Sequence, residues 1–123
     1  MANAGKPNFQ SYNFLPFPIE VFAASGEAVF INSALMKLNG ITDVNTIVGK
    51  YNLLNDPLCN RLKRHREAIK RAFSGKKVSV KDFPLPEQGL EKTDAHFTPV
   101  IIEGKVKIVV VTYKKVSVTF LEK

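Results

Sequence analysis

His65 and His96 are the only histidines in this chain of 123 residues, and Cys59 is its only cysteine. Imidazole and thiolate are the common ligands of zinc, but these scattered donors do not make a zinc-binding spacing. A single cysteine also leaves no internal disulfide. The sequence has no Ser-His-Asp pattern, CxxC, HExxH, Walker loop or dinucleotide fingerprint. No residue asks for catalysis, so the chain is not read as an enzyme. Binding chemistry remains. Tyr51 and His65 each bring a polar group to otherwise apolar surroundings, and each must find a partner if buried.

The elements that position them follow from local signals. Asp56 before Pro57 is a strong helix start, since Asp suits the N-cap and Pro the first helical position. The helix is predicted to run from there to Ser74, with Gly75 closing it. Leu58, Leu62, Ile69, Ala72 and Phe73 share its apolar face, with His65 in the middle. Cys59 falls off that face. Arg61, Lys63, Arg64, Arg66, Lys70 and Arg71 cover the remainder, offset only by Glu67.

Earlier in the chain, Ile19–Ala23 and Ala28–Ile31 are β-prone runs separated by Ser25-Gly26-Glu27, a hairpin signature. Asn32 is a good N-cap for a short helix that Gly40 ends and that buries Leu35 and Leu38. Thr42 or Asp43 can cap a helical turn through Ile47. After Lys76 the period becomes two, and Lys77–Lys81 reads as a strand. Pro84, Pro86 and Gly89 make a loop. A strand from about Asp94 to Ile102, a turn at Glu103-Gly104 and a long strand from Lys105 to about Phe120 complete the order: two strands, helices, three strands.

This order and several motifs resemble the PAS domain, a small sensory module of signalling proteins. The opening unit, A-A-S-G-E-A-V-F-I-N-S-A-L-M-K-L-N-G, is similar to the start of that fold, with Ser25 near the turn where Asp is usual. Gly49-Lys50-Tyr51-Asn52-Leu53-Leu54-Asn55-Asp56-Pro57 resembles the segment before the long helix in one branch. F-S-G-K-K-V resembles the helix-to-strand junction, and F-T-P-V with the E-G-K turn the late strands. The resemblance covers most of Ile19 to Tyr113. The end departs from it: many members finish in Asp-Ile-Thr, and this chain has Thr112-Tyr113-Lys114-Lys115-Val116.

The resemblance implies an α+β fold, a five-stranded antiparallel sheet with helices on one face. It divides the chain into a lead-in, 1–18, and a single sensor domain, 19–120. It implies a small-molecule pocket between sheet and long helix, lined by Tyr51, Leu54, Leu62, His65, Ile69, Phe73, Val78, Val80 and Phe97. Taken singly, the apolar members of that set are core by default. His65 is expected to hydrogen-bond Tyr51 or backbone, or to join Tyr51 in holding a ligand. The cofactor is left open. Haem-binding relatives carry their inward histidine nearer the helix end, where this chain has Lys70, which disfavours haem. The photoactive flavin branch needs a cysteine in G-x-N-C-R-F-L-Q, which this chain lacks.

The function implied is sensing, with the signal passed through a dimer interface to an effector: a histidine kinase, a diguanylate cyclase or a DNA-binding regulator. The alternative is a ligand-free interaction module that mediates dimerisation. A basic nucleic-acid-binding domain ranks third. The net charge of +7 and pI near 9.6 allow an anionic partner. No aromatic interleaves the basic helix face, so specific nucleic-acid binding is not expected. The first residues have no signal-peptide pattern and no run is long enough to span a membrane, so a cytoplasmic location away from the membrane is expected. In the last strand Val109, Val111 and Tyr113 alternate with Ile108, Val110 and Thr112, so both faces are largely apolar. The face away from the helices must be covered by the Phe9–Phe17 segment, by a second copy or by both, and a homodimer is expected.

Overall fold

β-prone residues on either side of Gly26 form the first hairpin, β1 (Ile19–Ala23) and β2 (Ala28–Ile31), with the predicted boundaries. The structure is a computed structural model that describes residues 9–84 and 92–115. Gly26 has φ 95°, and a Cβ there would lie 2.5 Å from Asn52 Oδ1 and 2.7 Å from Leu54 Cγ. The turn therefore needs glycine for its backbone and for space. Asn32 caps α1 (Ser33–Asn39), its Oδ1 accepting from the Leu35 N–H at 3.1 Å, and Gly40 ends the helix at φ 68°. Leu35 is buried and Leu38 partly so. Asp43 caps a 3-10 turn, Val44–Thr46.

The long helix is shorter than predicted. α2 spans Lys63–Phe73, and Leu62 before it is extended, at φ −87° and ψ 136°. Asp56 does act as a cap, accepting from the Leu58 N–H at 2.8 Å. The turn it starts does not propagate. Asn60 Nδ2 donates to the carbonyls of Leu53 and Asp56, at 2.9 and 2.8 Å, and this side-chain competition closes the turn on itself. Leu58 and Leu62 consequently leave the buried face, each 39% exposed.

β3 (Val78–Pro84) is longer than predicted and takes in Pro84, which was assigned to a loop. A bulge between Val80 and Phe83, with Asp82 at φ 54°, breaks the period of two. The extra residue lets Val80 and Phe83 both point inward while Lys81 and Asp82 stay exposed. β4 (Lys92–Ile102) and β5 (Lys105–Lys115) are joined at Glu103-Gly104, both with positive φ. Met1–Asn8, Pro86, Gly89 and the stretch Val116–Phe120 lie outside the described residues.

The sheet order is β2-β1-β5-β4-β3, with every pair antiparallel. On the inner face Phe22, Ile31, Val111, Ala95, Phe97 and Val80 meet Leu35 of α1 and Ile69 and Ala72 of α2 in one cluster. On the outer face Ile19, Val21 and Ala23 stand opposite Thr112, Val110 and Ile108. Phe30 stands opposite Val21, and the rings of Phe9 and Tyr12 approach it at 5.4 and 6.2 Å. The lead-in, with its 3-10 turn Gln10–Phe14, therefore lies over β1 and β2 on that face. Ile19 and Val21 are buried there, whereas Ile108, Val110 and Thr112 are half-buried. Among the described residues no helix is long and apolar enough to cross a membrane.

Candidate functional site

α2 carries His65 to the interior. The imidazole is 2% exposed and meets Phe83 edge to face, centroids 5.2 Å apart. Phe83 in turn meets Phe97 at 5.5 Å in the same manner. These offset contacts suit rings whose edges are positive and faces negative. Phe83 carries no helical or strand signal in sequence, because only the bulge turns it inward. Over His65 opens a depression of about 120 Å³ walled by Leu58, Arg61, Leu62, Arg64, Asp82 and Pro84.

Tyr51 is held at the other end of the same layer. Its hydroxyl, for which His65 was one of the expected partners, donates to the Asp56 carboxylate and lies 3.8 Å from Cys59 Sγ. Asp56 thus serves both the turn and the phenol. Burial pushes the Tyr51 phenol well above its ordinary range, and neighbouring Cys59 and the bond to Asp56 push it in the same direction. Cys59 is fully buried in the core, where a position off the apolar face was expected. The broken helix explains the change, since Cys59 belongs to the closed turn and not to α2.

Of the other expected lining positions, Ile69, Val80 and Phe97 are buried in the core cluster, and Phe73 and Val78 pack partly buried against it. Leu54 and Leu62 do not join them, and each is 39% exposed. In the 3-10 turn Leu53–Asn55 it is Leu53 that points inward, fully buried, which sends Leu54 out against Gly26. Leu62 lies in the extended link ahead of α2.

The residues do not fit the flavin photochemistry. Asn52 is followed by buried Leu53 where that chemistry needs a reactive cysteine, and Cys59 is enclosed, its Sγ 3.9 Å from the Pro84 carbonyl.

Asn32 does more than cap. Its Oδ1 also accepts from the Ile19 N–H at 2.9 Å, and its Nδ2 donates to the Tyr12 and Phe17 carbonyls, both at 3.0 Å. One buried amide thus ties the lead-in, β1 and α1 together. Asn13 adds a bond to the Ser33 N–H at 2.8 Å. The local sequence announces the cap and gives no sign of the other partners.

The basic residues of α2 are exposed, and two of them are committed to backbone. Arg64 Nη1 donates to the Lys81 carbonyl at 3.1 Å and Arg66 Nη1 to the Asn60 carbonyl at 2.9 Å. Lys63 and Glu67 approach to 3.9 Å, one helical turn apart.

No protein-family model matches the chain, and no curated protein matches its sequence. Solved structures do match in fold. The LOV protein of Rhodobacter sphaeroides superposes with a TM-score of 0.69 at 12% identity, over 90% of this chain and 66% of that one. The PAS domain of Bordetella pertussis BvgS gives 0.63 at 17% identity, over 93% and 88%. VqmA bound to DPO gives 0.62 at 18% identity, over 88% and 56%. The chain therefore spans less than two thirds of the LOV protein and of VqmA. With its antiparallel order β2-β1-β5-β4-β3 and both helices on the inner face, the chain has the PAS fold.

Proposed function

We propose that the chain is a sensory module of a signalling protein, which takes up a small organic ligand between α2 and the sheet. The observation that carries this reading is the depression over His65, where α2 meets the bulge of β3. Its volume of about 120 Å³ is near the ~150 Å³ that holds a benzene ring and below the ~300–1,000 Å³ of drug-sized pockets. A ligand of one aromatic ring with a polar substituent fits that size, and a larger one requires α2 to shift. The helix is suited to shifting, because it starts from an extended residue with no side-chain cap. VqmA, of the same fold, is bound to DPO. In this reading the change passes to a dimer interface on the outer sheet face, and from there to an effector of the histidine kinase, diguanylate cyclase or DNA-binding class in the cytoplasm.

The test is a thermal melt of the chain against a library of small aromatic heterocycles. A ligand at a hundred times its dissociation constant stabilises the fold by about 2.7 kcal/mol. His65→Ala should abolish that shift. If it leaves the response to every compound unchanged, His65 is a core residue and the site reading fails. A strong Soret band in purified protein would replace the organic ligand with haem.

The second reading is an interaction module without ligand. It draws support from the half-buried row Ile108, Val110 and Thr112 and from a hollow of about 280 Å³ beside Phe17, His96 and Thr112. Val110→Glu should then dissociate a dimer seen by sedimentation at micromolar concentration. Sedimentation of the unmodified chain as a monomer counts against both the dimer and this reading. Nucleic-acid binding stays third, expected to be weak and to vanish steeply with salt.

A further inference from the structure

β3 is the last strand of the sheet, so among the described residues no strand lies beyond it. An edge of this kind offers backbone N–H and C=O groups to any extended chain, and proteins usually guard it with charge or a bulge. β3 has both guards. Its bulge falls between Val80 and Phe83, and Lys81 is exposed beside it.

Among the described residues the charge along this edge is mainly positive, although Asp82 is exposed next to Lys81. A groove of about 410 Å³ runs between α2 and β3, lined among the described residues by Arg64, Arg71 and Lys81 against the carboxylate of Glu67. Glu67 is already within 3.9 Å of Lys63. Ala68, Val78 and Val80 give the groove an apolar floor. Pairing β3 with β3 of a second copy would set these cations against themselves, which disfavours self-association here. The same cations attract an acidic strand.

We propose that the β3 edge and the α2–β3 groove form a docking site for an extended acidic segment of a partner protein, added to the sheet as a sixth strand. Backbone pairing along Val78–Lys81 supplies the hydrogen bonds; Arg64, which in the free chain donates to the Lys81 carbonyl, turns from it to meet carboxylates of the segment together with Arg71. The bulge ends the pairing after Lys81, so the contact extends over about four residues, or ~13 Å at ~3.4 Å per residue. A nucleic acid uses the charge and leaves the strand edge unused, and among the described residues no aromatic lines the groove for bases to stack on. A peptide uses both. This site does not rest on the ligand reading above, although Arg64 also borders the depression over His65, and its test has a separate readout.

The probe is a capped eight-residue peptide alternating Glu and Val, titrated into the full chain at about 150 mM salt and followed by fluorescence anisotropy. Amide hydrogen exchange is measured on the same complex. The peptide should bind and slow exchange within 78–81. The double variant R64E/R71E should weaken binding about tenfold or more, and R64K/R71K should retain most of it. A peptide N-methylated at alternate residues should lose binding, which separates strand pairing from charge alone. The proposal is overturned if saturating peptide leaves exchange at 78–81 unchanged, or if a Lys-Val peptide binds equally well. It is also overturned if a twelve-residue oligothymidylate binds more tightly than the Glu-Val peptide. Any protein that melts as the unmodified chain does is a valid arm, and K81E is the substitute if R64E/R71E does not fold.

Discussion

The two helices of this domain begin in opposite ways. α1 starts on Asn32, whose amide caps it and also holds β1 and the lead-in. α2 starts on extended Leu62 with no side-chain cap, after a turn that has closed on itself. In the first region local and long-range demands fall on the same residues. In the second they fall on different ones, and the local signal at Asp56 and Pro57 is satisfied without producing the helix it announces. The first region is thus a fixed frame. The second, held mainly by apolar contacts through Ile69, Ala72 and Phe83, is the side on which packing can change.

The largest expected effect tests the apolar side. Phe83→Ala removes the ring between His65 and Phe97 and should cost about 4 kcal/mol in urea unfolding. A cost below ~1 kcal/mol would mean that α2 and β3 close over the gap, and the frame would then carry nearly all the stability.

Asn32→Ala tests the polar frame. It orphans the buried Ile19 N–H, the first turn of α1 and two lead-in carbonyls. About 3 kcal/mol should be lost. Asn32→Asp keeps the acceptor but sets a buried carboxylate against the Tyr12 and Phe17 carbonyls, so at neutral pH its cost should match or exceed that of alanine. A cost well below that of alanine would mean that the lead-in carbonyls turn away to water and that the cap carries the effect.

This contrast also explains what was legible in the sequence. The hairpin, α1 and the Glu103-Gly104 turn could be read because glycines and an N-cap state their conformation within a few residues. The inward turn of Phe83 depends on a bulge in register against β4, and the burial of Cys59 depends on where α2 fails to begin. Neither fact is written in the neighbouring residues. Among the expected pocket residues, those on α2 and in paired strands were legible as core positions. Leu54 and Leu62 were not, because each lies in a short irregular stretch where a shift of one residue exchanges inside for outside.

Two glycines sharpen the comparison at a smaller scale. Gly26 and Gly40 both have positive φ, at 95° and 68°. A Cβ on Gly40 would meet nothing within 4 Å, whereas one on Gly26 would collide with Asn52 and Leu54. Gly40→Ala should therefore cost about 1 kcal/mol, for backbone strain alone. Gly26→Ala should cost about 2 kcal/mol or more. It should also disturb the 3-10 turn that sets Leu53 inward, which amide exchange at Leu53 and Leu54 would register.

An effect at neutral pH as small as that of Gly40→Ala belongs to Tyr51, which joins the two regions. Tyr51→Phe keeps the ring against Phe22, at 6.3 Å, and removes the hydrogen bond to Asp56. About 1 kcal/mol should be lost at pH 7. The alkaline limb is more telling. The folded phenol holds its proton well above the ordinary value of 10.0, mainly because it is buried. Above about pH 10 the unfolded chain releases that proton and the folded chain retains it, so the unfolded state binds fewer protons and stability falls as pH rises. The slope from this one group approaches about 1.4 kcal/mol per pH unit. Below pH 10 the phenol is protonated in both states and contributes no slope. Urea melts at pH 9, 10 and 11 should therefore show the unmodified chain losing stability faster than Tyr51→Phe above pH 10, and in parallel with it below. Parallel curves throughout would mean that water reaches the phenol, and that the layer between Tyr51 and His65 opens more readily than the closed turn at Asp56 suggests.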